Sequence, residues 1–273
     1  MRLYPGLLPA WQGGIGGIEC PRFIAVPTMS DPTSKDTLFA NPRPHLVDFA
    51  FDEQVARVFP DMIRRSVPGY DAVIAMLGVF ANHYVRPHTR AYDLGCSQGA
   101  ATLALRRHIQ VPDVTLVAVD NAPAMIERCR QNIAADLSPS QVELRCEDIQ
   151  QTPIANASLV ALNFTLQFLP PDQRDTMVRK IADGLLSGGV LVLSEKICFS
   201  DDVQQTLFTD LHHDFKRLNG YSDLEISQKR QAIENVLIPE TAEQHSQRLL
   251  QNGFSQVQCW FQCFNFASFV AVK

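Results

Sequence analysis

The sequence lacks the features of a membrane protein, a disulfide scaffold and a metal site. No apolar run reaches the roughly 18 residues that a transmembrane helix needs. The seven cysteines among the 273 residues are an odd number, lie far apart and form no C-x-x-C pair, so we expect free thiols and a reducing, cytoplasmic location. No H-E-x-x-H motif occurs either, and we expect no bound metal.

Positive charge is also scarce, because 24 lysines and arginines face 29 acidic residues and the formal net charge is −5 at pH 7. An acidic surface repels phosphate backbones, so we expect no direct binding of nucleic acid. Apolar residues make up 46% of the chain, which is enough for a sizeable core. These features leave a globular α/β protein that acts on small molecules as the favoured class.

The first 28 residues differ from the rest of the chain. They contain Pro5 and Pro9 and four glycines between positions 13 and 17, and they lack the long apolar region and cleavage site of a signal peptide. A methionine follows at position 29. We interpret 1–28 as a disordered tail or the product of an upstream start codon, and 29–273 as a single α/β domain.

Short apolar runs alternate with amphipathic segments from residue 91 onward, which predicts a parallel sheet with helices on both faces. The predicted helices of this part are 98–109, 123–135 and 171–186. The predicted strands are 91–94, 114–119, 142–146, 159–164, 190–194, 256–262 and 264–272. The last two runs lie so close together that they can only be antiparallel neighbours. A seven-stranded sheet with such a terminal hairpin resembles class I S-adenosylmethionine-dependent methyltransferases, which are Rossmann-like.

Helical patterns also precede and interrupt this alternation. Residues 29–85 carry apolar residues at helical spacing, with breaks expected at Pro60 and Pro68 and a second helix expected to begin at Asp71. We interpret this segment as an N-terminal helical cap. Residues 201–240 are helical in pattern, charged and without a predicted strand, and they follow the carboxyl edge of the fifth strand, where ligands bind in open sheets. We expect them to form a lid.

The stretch YDLGCSQGAATLALRR (92–107) places two glycines in a turn between a strand and a helix. Gly95 allows a sharp turn, and Gly99 allows the helix to start close to a ligand that its backbone N–H groups face. A dinucleotide fingerprint requires G-x-G-x-x-G, but Ser97 stands between the glycines here. With Asp93 ahead of it, the spacing favours a ligand with a zwitterionic amino-acid tail. A turn glycine and a packing glycine of an ordinary α/β unit are the alternative.

Polar residues close the next three predicted strands. Asp120 ends the second strand, where a carboxylate can accept both hydroxyls of a ribose, and Asn121 adds a second polar contact. Asp148 and Ile149 end the third strand, at the edge that meets adenine in this fold. Asn163 ends the fourth strand, beside the expected position of a sulfonium. Caps and turn residues without a ligand are the alternative.

Seven stretches together resemble one specific family. They are SVPGY (66–70), YDLGCSQGAATLALRR (92–107), VDNAPAMIERCR (119–130), LNFTLQFL (162–169), LSEK (193–196), HHDFKRLNGYSDLEISQKR (212–230) and WFQCFNF (260–266). On these residues the chain resembles the carboxy-S-adenosyl-L-methionine synthase family, from about Lys35 to the C-terminus. This family is similar in fold to methyltransferases.

The resemblance implies an enzyme that converts S-adenosyl-L-methionine and prephenate into carboxy-S-adenosyl-L-methionine, phenylpyruvate and water. It also implies a homodimer, and a separate enzyme that uses the product to carboxymethylate the wobble uridine of tRNA. Arg230 and Tyr70 are the residues that it implies for catalysis, with Arg230 meeting the new carboxylate. The residues that it implies for cofactor binding are Tyr70, Gly95, Cys96, Ser97, Asp120, Asn121, Asp148, Ile149, Asn163 and Arg230.

Three other functions compete with this one. An ordinary small-molecule methyltransferase would share the fold and the glycine turn. A non-catalytic module would bind the cofactor in order to stabilise a partner enzyme. An NAD-dependent oxidoreductase is disfavoured by Ser97 and by the terminal hairpin.

Overall fold

The computed structural model describes residues 35–42 and 49–273, all within one compact unit, Pro32–Lys273. The predicted tail or start-site product at 1–28 lies outside the described residues. No described helix is long and apolar enough to cross a membrane. The strands in this part of the chain are β1 (Arg90–Leu94), β2 (Thr115–Asp120), β3 (Gln141–Cys146), β4 (Ala157–Asn163), β5 (Leu185–Cys198), β6 (Glu240–Thr241), β7 (Gln256–Cys263) and β8 (Phe266–Val272).

The sheet follows the predicted layout. Its order is β3-β2-β1-β4-β5-β8-β7, with β1 to β5 parallel and β8 antiparallel to both β5 and β7. The terminal hairpin is thereby confirmed. The two-residue strand β6 is an eighth strand, which pairs with β5 outside this path. The sequence pattern did not predict β6, because two residues are too few to show the alternation of a strand. The segment 201–240, predicted without a strand, therefore ends at the first residue of β6.

Helices cover both faces of the sheet. They are α1 (Glu53–Ser66), α2 (Tyr70–Tyr84), α3 (Ala100–His108), α4 (Pro123–Ala135), α5 (Pro171–Gly184), α6 (Asp202–Leu218), α7 (Asp223–Ile233) and α8 (Ala242–Gln251). One core cluster includes Leu77 of α2 and Leu105 of α3, and another includes Met177 of α5 and Leu249 of α8. Fully burying one such side chain contributes about 1.5–3 kcal/mol to the stability of the fold. The two core clusters thus hold the helices against the sheet whose edge carries the site.

Pro60 does not break α1, contrary to the prediction. Proline has no N–H for the carbonyl four residues before it, which is that of Ala56. The side-chain Nε2 of Gln98 donates a hydrogen bond to this carbonyl, so the helix continues through the proline with its freed acceptor satisfied. The second helix begins at Tyr70 rather than Asp71, directly after Gly69 with a φ of +76°.

The predicted lid consists of α6 and α7, and it packs on the C-terminal end of α1. The Nε2–H of His212 donates to the carbonyl oxygen of Ser66 at 2.8 Å, and Nζ of Lys229 donates to the hydroxyl of Ser66 at 2.9 Å. The segment therefore approaches the carboxyl edge of the sheet from the side of the N-terminal helices.

Candidate active site

The turn after β1 is a compact left-handed structure. Gly95, Ser97 and Gly99 have φ values of +83°, +49° and +85°. A Cβ atom on Gly95 would lie 2.1 Å from Oγ1 of Thr165, so this position admits only glycine. The close approach of Gly99 is to Cys129, whose Sγ would lie 2.7 Å from an added Cβ. Gly99 thus allows α3 to pack against α4, which is the role of a packing glycine that the sequence analysis gave as the alternative.

The N–H groups of this turn are used inside the protein. Gly95 and Cys96 both donate to the carbonyl oxygen of Val119 at 2.8 Å. Ser97 donates to Oδ2 of Asp120 at 2.9 Å. These bonds tie the end of β1 to the end of β2, and they leave the N-terminal N–H groups of α3, rather than those of the turn, to face a ligand.

Asp120 holds the turn in place at the end of β2. Its Oδ2 accepts from Ser97, and its Oδ1 accepts from the N–H of Ala122 at 2.9 Å. Burial raises the pKa of Asp120, and these two hydrogen bonds oppose the rise. A carboxylate oxygen has two lone pairs, so each oxygen keeps one acceptor site for a ribose hydroxyl. The neighbouring Asn121 is exposed.

The third strand ends beside Asp120. The N–H of Glu147 donates to the carbonyl of Asp120 at 3.1 Å, which brings the two strand ends together. Asp148 is half-buried and accepts the N–H of Gln150 on Oδ1 at 2.8 Å, and Ile149 is buried. The structure therefore places the residues implied for ribose and adenine at one edge of the sheet.

Two buried acceptors at this edge have no hydrogen-bond donor within the described residues. Asp93 is fully buried and accepts from Oγ1 of Thr102 at 2.6 Å, but its Oδ1 has no partner. Oδ1 of Asn163, on the adjacent strand β4, has no partner either. Burial raises the pKa of Asp93 to about 6. An unsatisfied buried acceptor is costly, so the edge fits a ligand that brings cationic or N–H groups, as S-adenosylmethionine does.

Tyr70 reaches this edge from the start of α2. Its ring lies 6.3 Å from that of Phe164, the residue after Asn163, and the ring of Phe164 lies 6.1 Å from that of Phe266. Burial and the charge of Asp93 hold the pKa of Tyr70 above its usual range. The phenol is therefore neutral at physiological pH and can donate a hydrogen bond.

Arg230 lies apart from the turn, on α7. Its side chain is 64% exposed, and Nε is 3.9 Å from Oε2 of Glu234, which is a loose surface pair. Within the described residues, no hydrogen bond or ion pair joins Arg230 to Tyr70 or to the turn. Burial lowers the pKa of Lys196, near the carboxyl end of β5, and the positive charge of Arg230 lowers it as a second, smaller cause.

The fold has many known counterparts. A family model described as a methyltransferase domain matches residues 91–189. The chain is similar to a putative O-methyltransferase from Nostoc punctiforme, with 16% identity and a TM-score of 0.56 over 81% of this chain and 60% of that one. It is also similar to a putative S-adenosylmethionine-dependent methyltransferase from Methanococcus maripaludis, with 18% identity and a TM-score of 0.55 over 85% and 97%. The fold is that of class I methyltransferases.

Curated relatives decide the family. A carboxy-S-adenosyl-L-methionine synthase from Shewanella putrefaciens is 58% identical over 241 residues, which are 88% of this chain and 99% of the relative. One from Marinobacter nauticus is 60% identical over 238 residues, which are 87% and 95%. The chain belongs to the carboxy-S-adenosyl-L-methionine synthase family. The family resemblance of the seven stretches is thereby confirmed.

One residue that shapes the site of this synthase-family protein is not among those predicted from the sequence. Glu195 on β5 is fully buried and accepts three backbone N–H groups, from Thr165 at 3.2 Å, Leu166 at 2.9 Å and Gln167 at 3.0 Å. It thereby fixes the chain that follows Asn163. Burial raises the pKa of Glu195 to about 8, against the effect of these donors. The signal was a Glu-Lys pair one residue after the apolar run 190–193.

In residues 35–42 and 49–273, no group of three or more histidine, cysteine, aspartate or glutamate side chains is placed to hold a metal ion.

Proposed function

We propose that this protein converts S-adenosyl-L-methionine and prephenate into carboxy-S-adenosyl-L-methionine, phenylpyruvate and water. The observation that carries the proposal is the identity of 58–60% to proteins named carboxy-S-adenosyl-L-methionine synthase, over at least 95% of their length. The unpartnered acceptors of Asp93 and Asn163 support the sulfonium substrate. Prephenate enters through the family resemblance.

The reaction balances without a further reagent. Loss of the ring carboxylate of prephenate as carbon dioxide is driven by aromatisation, and hydroxide leaves the ring. The methyl group of the sulfonium substrate is acidic, because the carbanion left by loss of its proton lies next to positive sulfur. This carbanion forms a carbon–carbon bond to the carbon dioxide. The methyl proton and the hydroxide together form the water.

The chain's part in this reaction is binding, orientation and exclusion of water. In the proposed arrangement Asp120 and Asn121 bind the ribose and Asp148 and Ile149 the adenine. Asn163 lies beside the sulfonium. The segment with α6 and α7 covers the reacting atoms, because bulk water would capture the carbanion with a proton and let carbon dioxide escape.

Two residues are proposed to act on the reacting groups. The neutral phenol of Tyr70 donates a hydrogen bond at the methyl end of the substrate. Arg230 binds the new carboxylate with its planar guanidinium, and its loose pair with Glu234 leaves it available for this role. We further propose a homodimer in the cytoplasm, whose product is used by a tRNA carboxymethyltransferase.

The test is a mass analysis of the cofactor after incubation with S-adenosyl-L-methionine and prephenate. The expected result is a gain of one carboxyl group that depends on prephenate, with equimolar phenylpyruvate. Formation of S-adenosylhomocysteine and a methylated product would instead identify an ordinary methyltransferase. Bound nucleotide that never turns over would identify a binding module.

A further inference from the structure

Two half-buried lysines near the candidate site have no anionic partner in the described part of the chain. They are Lys196, near the end of β5, and Lys216, in the last turn of α6. A third buried lysine shows the contrast. Nζ of Lys229 lies 3.7 Å from Oδ2 of Asp36 and donates to Ser66, so its charge is compensated. Within residues 35–42 and 49–273, no carboxylate compensates the charges of Lys196 and Lys216.

The strand register places Lys196 beside the aromatic wall of the site. Lys196 lies directly opposite Phe266 in the antiparallel pair of β5 and β8, so the two side chains share one face of the sheet. The ring of Phe266 contacts that of Phe164 at 6.1 Å, and Phe164 follows Asn163. Lys196 is therefore next to the strand end that is assigned to the sulfonium.

Helix α6 brings Lys216 to the same place. The ring of His212 lies 5.0 Å from the ring of Phe266, and Lys216 follows His212 by one helical turn on the same side of α6. The ring of Phe164 joins Phe266 to Tyr70, at centroid distances of 6.1 Å and 6.3 Å. Lys216 therefore lies on the side of α6 that faces the aromatic rings between Tyr70 and the end of β5.

The electrostatics of this cluster support that placement. Burial, together with the charges of Lys229, Lys196 and Arg230, lowers the pKa of Lys216 to about 7. Burial lowers the pKa of Lys196 as well, and Arg230 adds to the effect. Like charges held together away from water are unfavourable unless an anion joins them. A ligand with two negative charges removes this repulsion.

We propose that Lys196 and Lys216 bind the carboxylates of the second substrate, a dicarboxylate, in the space between Tyr70 and the end of β5. The assignment rests on the proposed function for the identity of that substrate. It divides the cations by task, because Arg230 holds the carboxylate on the product while the two lysines hold the co-substrate before transfer. An ordinary methyltransferase that acts on a neutral acceptor has no use for such a pair.

The experiment is a calorimetric titration of prephenate into the full-length protein saturated with S-adenosylhomocysteine, which lacks the methyl group and prevents turnover. Lys196→Met and Lys216→Met are each compared with wild type. Lys273→Met is the matched control, because it removes the same charge at the opposite end of the sheet, where Nζ of Lys273 donates to the backbone carbonyl of Ala182. Lys216→Arg keeps the charge at the tested position.

We expect each lysine-to-methionine variant at 196 and 216 to bind prephenate at least about tenfold more weakly, which corresponds to one charged hydrogen bond. Lys273→Met should match wild type, and Lys216→Arg should recover part of the affinity. Affinity for S-adenosylhomocysteine should stay within about twofold, and the melting temperature should hold or rise, because an uncompensated charge is removed. A lysine that only supports the fold would lower the melting temperature instead.

Prephenate affinity within twofold of wild type in both variants would overturn the assignment, and so would the absence of prephenate binding to wild type. The proposed function fails separately, when wild type binds prephenate but produces no carboxylated cofactor. In that case, lysine-dependent binding would still support the dicarboxylate site.

Discussion

The side-chain amide of Gln98 donates a hydrogen bond to the backbone carbonyl of Ala56, the acceptor that Pro60 leaves free within α1. Gln98 stands between the left-handed Ser97 and Gly99 in the turn after β1. One hydrogen bond therefore joins the N-terminal helix to the turn that shapes the cofactor site. The proline and the glutamine act as a pair, although 38 positions separate them in the sequence.

This pairing predicts a specific coupling. Gln98→Ala should lower the free energy of unfolding by about 1–2 kcal/mol, because the carbonyl of Ala56 loses this donor. In a Pro60→Ala background the restored backbone N–H can serve that carbonyl, so the same substitution should cost clearly less. Urea unfolding of the four proteins gives the coupling energy. Equal costs in both backgrounds would show that the bond is not shared in this way.

Gly95→Ala should be much more harmful than alanine at another left-handed glycine. Gly188 has a φ of +70° and its added Cβ would meet nothing closer than Arg86 Nη2 at 3.4 Å, so Gly188→Ala should cost only the backbone strain, about 1–2 kcal/mol. At Gly95 the added Cβ would in addition lie only 2.1 Å from Oγ1 of Thr165, which is a steric clash. We expect at least twice the loss of stability and a large loss of S-adenosylmethionine affinity, measured by urea unfolding and calorimetry. Similar losses at both glycines would contradict the steric argument.

Arg230→Ala should weaken the binding of carboxy-S-adenosylmethionine by about 1.5–3 kcal/mol, the value of a charged hydrogen bond. The binding of S-adenosylmethionine should stay nearly unchanged. The reason is that only the product carries the carboxylate. Arg217→Ala is the matched control, since it removes an exposed arginine that pairs with Asp214 and Asp223 instead. Calorimetry with both ligands tests the difference, and an equal loss for both would rule out carboxylate recognition by Arg230.

His212 should make the protein less stable in mild acid. Burial lowers its pKa in the fold to about 2 from 6.5, and the bond from Nε2–H to the carbonyl of Ser66 requires only the neutral ring. Below pH 6.5 the unfolded chain therefore binds a proton that the folded protein excludes. The free energy of unfolding should fall by up to about 1.4 kcal/mol per pH unit from this one group.

The variant His212→Gln isolates this contribution, since its amide can still donate to Ser66 but does not titrate. The raised pKa values of Asp93 and Glu195 change stability with the opposite sign, but both carboxylates are present in the two proteins and cancel in the difference. Between pH 7 and pH 5 the variant should lose about 1–2 kcal/mol less than wild type. Identical slopes would mean that His212 is not held neutral by burial.

Local patterns in the sequence account for most of the sheet and for the order of the polar strand ends. An apolar run predicts a strand, and a parallel sheet brings the carboxyl ends of its strands to one edge. The sequence therefore predicted that Asp120, Asp148 and Asn163 lie at the same edge. The family could be identified from contiguous motifs for the same reason. The strand β6 could not, because two residues carry no periodicity.

Contacts between distant segments could be decided only by the tertiary structure. The sequence around Pro60 predicts a broken helix, and it is the fold that places Gln98 against Ala56 and keeps the helix whole. Glu195 reads as the polar end of a strand, and the fold turns it toward three N–H groups. In the sequence Lys196 and Lys216 look like two separate solvated charges. In the fold both β5 and α6 pack against Phe266, and this brings the two lysines close together. Periodicity describes one element at a time, whereas hydrogen-bond partners and uncompensated charges depend on which elements pack together.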